Sequence, residues 1–428
     1  MEDPATAKPR QPWSWIPTLY FSQGLPYVAA MMLSVIMYKN LGVSNTDIAF
    51  YTSWLYLPWV IKPLWSPIVD MFRTKRFWIV GLQFVVGAAM AAVALTVPAP
   101  AFFQLTLVVF WLLAFSSATH DIAADGFYLL ALPSHEQAAF VGVRSTFYRL
   151  AMIAGQGGLV YLAGWLQETT GNVVHAWSIV FGVLAVLFVL VAFYHLFVLP
   201  KPAADHAVRD AKVTTGYFAA FGSFFRKKHI GVILGYLLLY RLAESQLLKL
   251  ATPFMLDERE IGGLGLSTQQ VGIFYGTIGV LALTIGGLVG GYVVSRYGLK
   301  RLLWPMIITM HVPNAVFILL ALAQPENAYL IGSAVAVEQL GYGFGFTAYM
   351  MYMMLVAEGE NSTAHYAICT GFMALGMMLP GMAAGWIQEQ IGYVNFFWWV
   401  MLATIPSLVV TGMLKIDPAF GRKTEDSK

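Results

Sequence analysis

Twelve apolar runs, each of roughly 20 or more residues, constrain this chain more than any other feature of its sequence. A helix of about 20 apolar residues crosses the roughly 30 Å hydrocarbon core of a bilayer. Charged residues make up only 11% of the 428 residues, whereas soluble domains carry roughly 25%. We therefore predict an all-α membrane protein with twelve transmembrane helices, at about 15–38, 47–70, 77–97, 101–132, 139–166, 176–199, 230–256, 269–294, 302–323, 329–357, 364–387 and 395–414.

The connection between spans 6 and 7 is much longer than the other loops. Residues 200–229 separate six spans from six, so we predict a bundle over 15–199, a linker over 200–229 and a second bundle over 230–414. Four phenylalanines at helical spacing precede a basic cluster in this linker, which predicts an amphipathic helix on an anionic membrane surface. These phenylalanines are Phe218, Phe221, Phe224 and Phe225.

Lysine and arginine are distributed unequally between the two sides of the predicted membrane. The two termini (1–14 and 415–428), the linker and the loops on the same side hold eighteen of them, whereas the opposite loops hold only Lys39 and Arg259. The positive-inside rule then places both termini in the cytoplasm. The first 14 residues lack the pattern of a cleaved signal peptide, so we expect residues 15–38 to be the first span.

A short basic turn follows the second span of each half, as expected of a duplicated unit. The two copies are Ser66-x-x-x-Asp70-x-x-Arg73-Thr74-Lys75-Arg76 and Gly291-x-x-x-Ser295-Arg296-x-Gly298-x-Lys300-Arg301. Both resemble the Gly-x-x-x-Asp-Arg-x-Gly-Arg-Arg motif of the major facilitator superfamily, with Ser66 and Ser295 as departures from it. The resemblance implies two pseudo-symmetric six-helix halves that rock about a cavity lined by spans 1, 4, 7 and 10, and a gating role for Asp70, Arg73 and Arg296.

Further motifs, ordered along the whole chain, resemble the muropeptide permease (AmpG) and acetyl-CoA transporter family. They are Phe21-Ser22-Gln23-Gly24-Leu25-Pro26, Pro58-x-x-x-Lys62-x-Leu64-Trp65-Ser66-Pro67-x-x-Asp70, Asp121-Ile122-x-x-Asp125, Tyr148-Arg149, Tyr240-Arg241-Leu242-Ala243-Glu244, and Glu338 ahead of Gly341-Tyr342-Gly343-Phe344-Gly345. The resemblance implies a bacterial cytoplasmic (inner) membrane. His120 departs from it, since muropeptide permeases commonly have glutamine there, and Lys249 has no clear counterpart.

Two carboxylates in span 4 share one helix face, because Asp121 and Asp125 are four residues apart. At about 1.5 Å per residue, Asp121 matches the depth of Arg149, and Asp125 matches that of Arg144 more loosely. These pairs are either structural salt bridges or parts of the transport site. In the second case Asp121 accepts a proton, and Arg149 tunes Asp121 or holds an anionic substrate.

Charged residues also occur in spans 7 and 10. Arg241 and Glu244 are three apart, so they either pair within one helix or leave Arg241 to bind a substrate carboxylate or phosphate. Lys249 lies two turns further out and is expected to contribute to specificity. Glu338 has no basic residue on its own helix, which favours a protonated acid that either carries the coupling proton or is structural.

Span 1 carries Gln23, Gly24 and Pro26, which predict either a locally broken helix lining the cavity or a packing kink. Three tryptophans of span 2 either stack on sugar rings or fill helix contacts. They are Trp54, Trp59 and Trp65.

Several other classes of function are excluded by missing patterns. The sequence has no Walker A loop and no nucleophile–base set, so we do not predict an enzyme. It has no zinc-ligand spacing, and its single cysteine, Cys369, allows no internal disulfide. We expect no cofactor, no metal and no nucleic-acid partner.

The sequence and the resemblance together predict a monomeric secondary active importer. It is driven by the proton gradient and carries a small anionic glycoconjugate such as an anhydro-muropeptide. A ferric-siderophore permease, an acetyl-CoA transporter and a non-transporting sensor on the same fold remain alternatives. The expected substrate contacts are Gln23, His120, Asp121, Arg149, Arg241, Glu244 and Lys249. The expected coupling residues are Glu338, Asp121 and Asp125, and the expected gating residues are Lys62, Asp70, Arg73, Arg144 and Arg296.

Overall fold

The computed structural model describes residues 11–207, 219–359 and 361–422, and all regular structure within these ranges is helical. The predicted all-helical membrane fold is therefore confirmed. Nine helices in the described ranges are long and apolar enough to cross a bilayer. They are Pro12–Asn40, Lys75–Thr96, Phe102–Ala131, Val173–Val198, Ile230–Leu256, Thr268–Tyr297, Leu299–Ala323, Ala328–Ala357 and Ser362–Gly412.

The difference between nine and the predicted twelve has local causes. Span 2 is divided into Asn45–Trp54 and Leu57–Met71, each too short to count alone. Span 5 is helical from Ser134 to Thr170, but its first half is too polar to count. Spans 11 and 12 run on as one helical segment that bends at Gly392, where φ is 75°. Helix is thus present at all twelve predicted positions.

Within each set of six spans, the helices pack against one another. Span 3 lies against spans 4 and 6 in the first set, and span 10 lies against spans 8 and 9 in the second. The sets meet along two seams, span 2 with span 11 and span 5 with span 8. We call the side on which the described chain begins and ends the terminal side, and the opposite side the loop side.

A hydrogen-bonded network closes the loop side between the two halves. The Nζ atom of Lys39 lies 2.5 Å from Oδ1 of Asp257. The side-chain amide of Asn45 lies 3.2 Å from Asp257, 2.7 Å from Gln388 and 2.9 Å from the hydroxyl of Tyr393. We call these five residues the loop-side latch, and their contacts hold the first half against the second.

The seam between spans 5 and 8 is formed by two wide π-helical turns, Ala154–Leu159 and Gly272–Gly279. A Cβ atom added at Gly276 would lie 1.9 Å from the carbonyl oxygen of Gln156. Only glycine therefore lets the two backbones approach so closely. We call this contact the pivot.

A polar cavity reaches the terminal side of the molecule. Asp125 lies six residues before the terminal-side end of span 4, yet its side chain is 45% exposed, and that of Arg144 is 27% exposed. Ionised side chains do not face lipid at such positions but line water-filled space. The latch thus joins the two halves on the loop side, and the exposure of Asp125 and Arg144 indicates that water reaches them from the terminal side.

Span 1 is not broken at Pro26, contrary to one of the two sequence interpretations. The helix continues from Ile16 through Pro26 to Val28 and passes into a wide turn, Ala29–Leu33, and then a further helix, Ser34–Asn40. Proline removes one helical hydrogen bond, and the wide turn that follows keeps the chain helical.

The break lies in span 7 instead, between Leu239 and Leu242, with Arg241 at φ −105° and ψ 18°. Carbonyl groups near the break find side-chain donors. The hydroxyl of Tyr349 donates to the carbonyl of Leu237 at 2.6 Å, and Ser407 donates to that of Leu239 at 2.9 Å. Buried backbone groups must be paired somewhere, so these two donors make the break tolerable.

The end of the linker does not form the single exposed aromatic face expected of it. Phe218 lies outside the described residues, and 219–225 are helical. Phe224 is fully buried, with its ring 5.5 Å from that of His365, whereas Phe225 is exposed. At the start of the linker, the carboxylate of Asp205 accepts hydrogen bonds from the backbone N–H groups that open span 3, at 2.7 and 3.1 Å.

Candidate substrate cavity

The predicted pairing of Asp125 with Arg144 is present. The Nη2 atom of Arg144 donates to Oδ1 of Asp125 at 2.7 Å, and the hydroxyl of Tyr20 donates to the same oxygen at 3.3 Å. The guanidinium also lies 4.5 Å from the ring centroid of Tyr20 and 4.9 Å from that of Tyr128. These contacts hold span 4 against spans 1 and 5 on the terminal side of the cavity.

The predicted pairing of Asp121 with Arg149 is wrong. Asp121 lies 3.7 Å from Nζ of Lys62 and accepts a hydrogen bond from Nε1 of Trp59 at 3.1 Å. Arg149 instead donates to Thr284 of span 8 at 3.2 Å, across the seam between the halves. The two residues lie at matching depth, but their helix faces point in different directions.

Arg241 projects from the break in span 7 and is held by aromatic residues. Its Nη2 atom donates to the hydroxyl of Tyr342, and its guanidinium lies 4.8 Å from the ring centroid of Phe346. Its Nε atom has no partner among the described residues. Of the two interpretations of Arg241 and Glu244, the pair within one helix is not seen as a hydrogen bond: Arg241 precedes the helix that begins at Leu242, and both carboxylate oxygens of Glu244 lack a partner among the described residues.

Tyr27 of span 1 lies between the charged groups of the two halves. Its hydroxyl lies near that of Tyr56, with Asp121 and Arg241 in the same surroundings. Its ring centroid is 5.3 Å from that of Trp59, in an edge-to-face arrangement. The centre of the cavity therefore joins a carboxylate, a guanidinium and several aromatic rings.

Sequence reasoning missed three of these tyrosines as site residues, Tyr27, Tyr56 and Tyr342. Two of them lie beside motifs that were recognised: Tyr27 directly follows Pro26, and Tyr342 lies within the glycine-rich stretch of span 10. Their position next to a recognised motif was therefore the feature of the sequence that could have identified them as site residues.

Lys249 lies in the contact between the halves, deeper than a residue at the mouth. Its side chain is buried, its Nζ atom donates to Thr52 at 2.9 Å, and it lies 5.7 Å from the ring centroid of Tyr56. A small cavity beside it is lined by Met31, Met32, Val35, Tyr56, Ser245, Leu248, Thr252 and Met377.

His120 lies away from the cavity, so the structure does not support its expected contact with substrate. Its Nε2 atom is 3.1 Å from Nε2 of Gln83, whose Oε1 atom is 3.0 Å from Nδ1 of His195. The other ring nitrogen of His195 lies 2.9 Å from Thr18. His120 belongs to a buried network within the first half. Gln23, in contrast, is buried beside the Asp121 carboxylate, and its Oε1 atom lacks a partner in the described part of the chain.

The remaining predicted gating residues contact aromatic residues of their own half. Arg73 has a left-handed φ of 66° and lies 5.6 Å from the ring centroid of Phe77. Arg296 lies 3.4 Å from the hydroxyl of Tyr292 at the exposed end of span 8. The side chain of Asp70 lies outside the described part of the structure, so its gating role stays a prediction.

Glu338 is fully buried in span 10. Its Oε2 atom accepts a hydrogen bond from Gln339 at 2.8 Å, while Oε1 has no partner in the described ranges. No salt bridge to it is formed by the residues that the structure describes. Glu338 thus differs from Asp121 and Asp125, each of which has a basic neighbour.

Two helical halves around a polar cavity that is closed on one side define a membrane transporter of the alternating-access type. The family model described as Major Facilitator Superfamily matches residues 18–364, and the chain belongs to this superfamily. It is therefore a multi-pass membrane transporter of small molecules and not an enzyme.

Relatives within this superfamily show which of its transporters the chain is similar to. An anhydromuropeptide permease of Escherichia coli is 28% identical over 401 residues, which cover 92% of this chain and 77% of the relative. A putative transporter AmpG 4 of Rickettsia conorii is 26% identical over 403 residues, covering 90% and 92% of the two chains. The resemblance predicted from the motifs is confirmed by these relatives.

Solved structures agree on the fold. The D-xylose-proton symporter superposes with a TM-score of 0.68 at 12% identity and covers 96% of this chain and 99% of its own. The nucleoside transporter NupG superposes with a TM-score of 0.67 at 16% identity and covers 94% and 99%. At such identities the likeness concerns the fold alone.

Proposed function

We propose that this transporter is a proton-coupled importer of an anhydro-muropeptide or a closely related anionic saccharide. The observation that carries the proposal is the similarity to an anhydromuropeptide permease over 92% of the chain. The cavity agrees with such a substrate, because it joins a cation to aromatic and polar groups that suit a sugar acid.

Arg241 is the proposed anchor for the substrate's acidic group. Its guanidinium is held by Tyr342 and Phe346, so little side-chain freedom remains to be lost on binding. Its Nε–H group is left without a partner within the described residues and is free to donate to an anion. Arginine binds carboxylates through charge-assisted hydrogen bonds, which are stronger than neutral ones.

The first half offers the surface for the sugar rings. Tyr27 and Trp59 place aromatic rings beside the Asp121–Lys62 pair. Aromatic rings bury the apolar faces of a ligand, while charged and polar groups beside them fix its hydroxyls. Arg149 donates a hydrogen bond to Thr284 of the second half. We assign it a role in closing the cavity around the ligand.

Import follows from the proposed orientation. The basic residues of the termini, linker and adjoining loops assign the terminal side to the cytoplasm of a bacterial inner membrane. The exposed Asp125–Arg144 pair on that side and the latch on the other support a state that releases an imported substrate into the cytoplasm. Loading from the loop side then requires the latch of Lys39, Asn45, Asp257, Gln388 and Tyr393 to open.

Glu338 is the proposed proton carrier. Asp121 and Asp125 have basic partners at 3.7 and 2.7 Å, which compensate the charges of the two carboxylates. Glu338 is buried without such a partner among the described residues, and burial favours the neutral acid. This contrast supports Glu338 over the two aspartates.

Uptake by proteoliposomes tests the function. A radiolabelled anhydro-muropeptide is supplied outside liposomes whose interior is alkaline, and we expect accumulation that a protonophore abolishes. Excess unlabelled muropeptide should compete, whereas a ferric siderophore or acetyl-CoA should not. Uptake of either of those compounds without uptake of the muropeptide would overturn the proposed substrate. Absence of uptake for all three would favour a sensor.

A further inference from the structure

A cavity of about 250 Å³ lies in the second half, on the terminal side of the molecule. Three spans have their terminal-side ends there: span 7 begins at Ile230, span 10 ends at Ala357 and span 12 ends at Gly412. None of the residues assigned above to the substrate cavity or to the latch lines it. It is therefore separate from the substrate cavity.

Three lysines and a histidine line this cavity. Lys227, Lys228 and His229 come from the end of the linker, and Lys415 follows span 12. Lys228, His229 and Lys415 are exposed, and Lys227 is half-buried. Basic residues from two distant parts of the chain thus converge at one place, which we call the basic cavity.

No carboxylate offsets the three lysines among the described residues. No acidic residue of the described ranges lines the basic cavity, and the salt bridges found there involve other residues. Lys227 instead donates to the backbone carbonyl of Glu358 at 3.5 Å. Like charges held close together repel one another, so an anion bound among the lysines is attracted by all of them.

The inner wall of the basic cavity is apolar. It is formed by side chains of spans 7 and 10, among them Ile233, Tyr352 and Val356, which are 8%, 5% and 7% exposed. Met413, directly after span 12, also lines the cavity and is 54% exposed. A ligand that carries hydrocarbon as well as negative charge therefore fits both parts of the cavity.

The start of span 7 lies at the basic cavity. His229 precedes the helix Ile230–Leu239 with a left-handed φ of 61°, and no side chain caps this helix. The first turn of a helix carries partial positive charge and attracts phosphate groups. The helix start and the lysines therefore favour the same kind of ligand.

We propose that the basic cavity binds the head group of an anionic phospholipid such as phosphatidylglycerol. Basic pockets between the cytoplasmic ends of transmembrane helices are suited to such head groups, and the cavity lies at the ends of three spans. Pockets that enclose a whole drug-sized ligand measure roughly 300–1,000 Å³, so this smaller cavity fits the head group and leaves the acyl chains outside. The proposal does not rest on the transported substrate.

A bound lipid would join two separate parts of the chain. Lys227 and Lys228 end the linker between the halves, whereas Lys415 begins the tail after span 12. A phosphate group between them replaces the mutual repulsion of the lysines with attraction to one anion. We expect the lipid to hold the end of the linker against the second bundle and to raise the midpoint of thermal unfolding.

Native mass spectrometry of the delipidated full chain in detergent tests the site. Dioleoylphosphatidylglycerol is compared with dioleoylphosphatidylethanolamine, which has the same acyl chains but no net charge. We expect the first phosphatidylglycerol to bind at least about tenfold more tightly, because three lysines attract its head group. Equal affinity for the two lipids overturns the proposal.

A triple variant removes the lysine charges from the basic cavity. With Lys227, Lys228 and Lys415 all replaced by glutamine, we expect the preference for phosphatidylglycerol to be lost. A control variant loses three positive charges at exposed positions outside the cavity and should keep the preference. Its changes are Lys300→Gln, Arg301→Gln and Arg422→Gln. A preference that the test variant keeps, or that both variants lose, overturns the assignment to this cavity.

Excess glycerol phosphate separates a lipid from a soluble phosphate compound. It carries the same phosphate group without acyl chains, so we expect it not to displace phosphatidylglycerol from the wild type. Displacement at a concentration similar to that of the lipid would assign the basic cavity to a soluble phosphate compound and overturn the lipid.

Hydrogen exchange of the wild type locates the lipid without any substitution. Phosphatidylglycerol, but not phosphatidylethanolamine, should protect the backbone N–H groups of residues 227–233 and 413–415. Protection confined to other segments overturns the site. This measurement therefore decides the proposal even if the triple variant does not fold.

Discussion

Lys39 and Asp257 form an ion pair between the two halves, with Nζ and Oδ1 2.5 Å apart and the side chains only 15% and 7% exposed. Asn45 and Tyr393 also contact the Asp257 carboxylate, at 3.2 and 2.5 Å. Removing one partner of a buried pair is costly because the other charge is left uncompensated. In the proposed transport cycle the latch must nevertheless separate, so we expect its strength to set how readily the loop side opens.

Asp257→Asn is expected to shift the protein towards the loop-open state. Asparagine keeps the shape of the side chain but removes its charge, and loss of a charge-assisted contact of about 1.5–3 kcal/mol changes the closed-to-open ratio about tenfold or more. Distances between spin labels at the exposed positions Thr170 and Glu326 measure the shift. Glu258→Gln, which neutralises the exposed neighbour, is the control. An unchanged distance distribution in Asp257→Asn would refute the latch.

Arg241→Gln is expected to weaken binding of an anhydro-muropeptide at least about tenfold, because a charge-assisted hydrogen bond of about 1.5 kcal/mol or more is lost. Isothermal titration calorimetry gives the Kd, and Arg301→Gln, on the basic turn after span 8, controls for the change in net charge. An analogue with its carboxyl amidated should bind both proteins equally. Equal affinity of the variant and the wild type for the anionic ligand would remove Arg241 from the site.

Glu338→Gln is expected to retain counterflow and to lose accumulation against a gradient. Glutamine imitates the protonated acid, so the substrate still exchanges, but no proton is released to drive net uptake. Both assays are run on the same liposomes, with Glu326→Gln as the control. If Glu338→Gln still concentrates substrate, the proton is carried elsewhere, and Asp121 or Asp125 becomes the better candidate.

Gly276→Ala is expected to destabilise the protein and to slow the exchange between its two open states. A Cβ atom there would lie 1.9 Å from the carbonyl oxygen of Gln156, so the backbones must separate. Overpacking of this kind typically costs about 1–3 kcal/mol. Gly158→Ala is the control, because nothing lies within 4 Å of its added Cβ in the described structure. Thermal unfolding and counterflow rates that are equal in the two variants would show that the pivot tolerates a side chain.

His120→Leu is expected to leave the Kd for the substrate within about twofold, because this histidine contacts Gln83 and not the cavity. Stability should fall by about 1–3 kcal/mol, since the buried amide of Gln83 loses a partner. Calorimetric titration and thermal unfolding of the same preparation separate the two effects. A large loss of affinity without a loss of stability would contradict this prediction and indicate that His120 contacts the substrate.

The helices were predictable because length and apolarity decide membrane insertion, and both can be counted. Depth was predictable for the same reason, which is why Asp125 and Arg144 were paired correctly. The direction in which a residue faces was not, because it depends on how neighbouring helices are rotated. Asp121 therefore has Lys62 as its partner, and Arg149 reaches the opposite half.

The contacts between distant parts of the chain were the least predictable. The latch joins Lys39 to Asp257 and Asn45 to residues more than 340 positions away. Lys39 was visible as one of only two basic residues in the loop-side connections, but nothing local identifies its partner. The break at Arg241 was hidden for a related reason, since the donors that stabilise it belong to spans 10 and 12.

The pivot has a consequence for how such a protein can change during evolution. Its two wide turns approach each other most closely through main-chain atoms at Gly276 and Gln156, so no side chain separates the two helices at that point. The proposed substrate contacts, by contrast, are all made by side chains. Substitutions in the cavity can therefore change selectivity while the contact between the two turns stays the same. At Gly276 itself, related carriers are expected to keep glycine, because any side chain would push the two backbones apart.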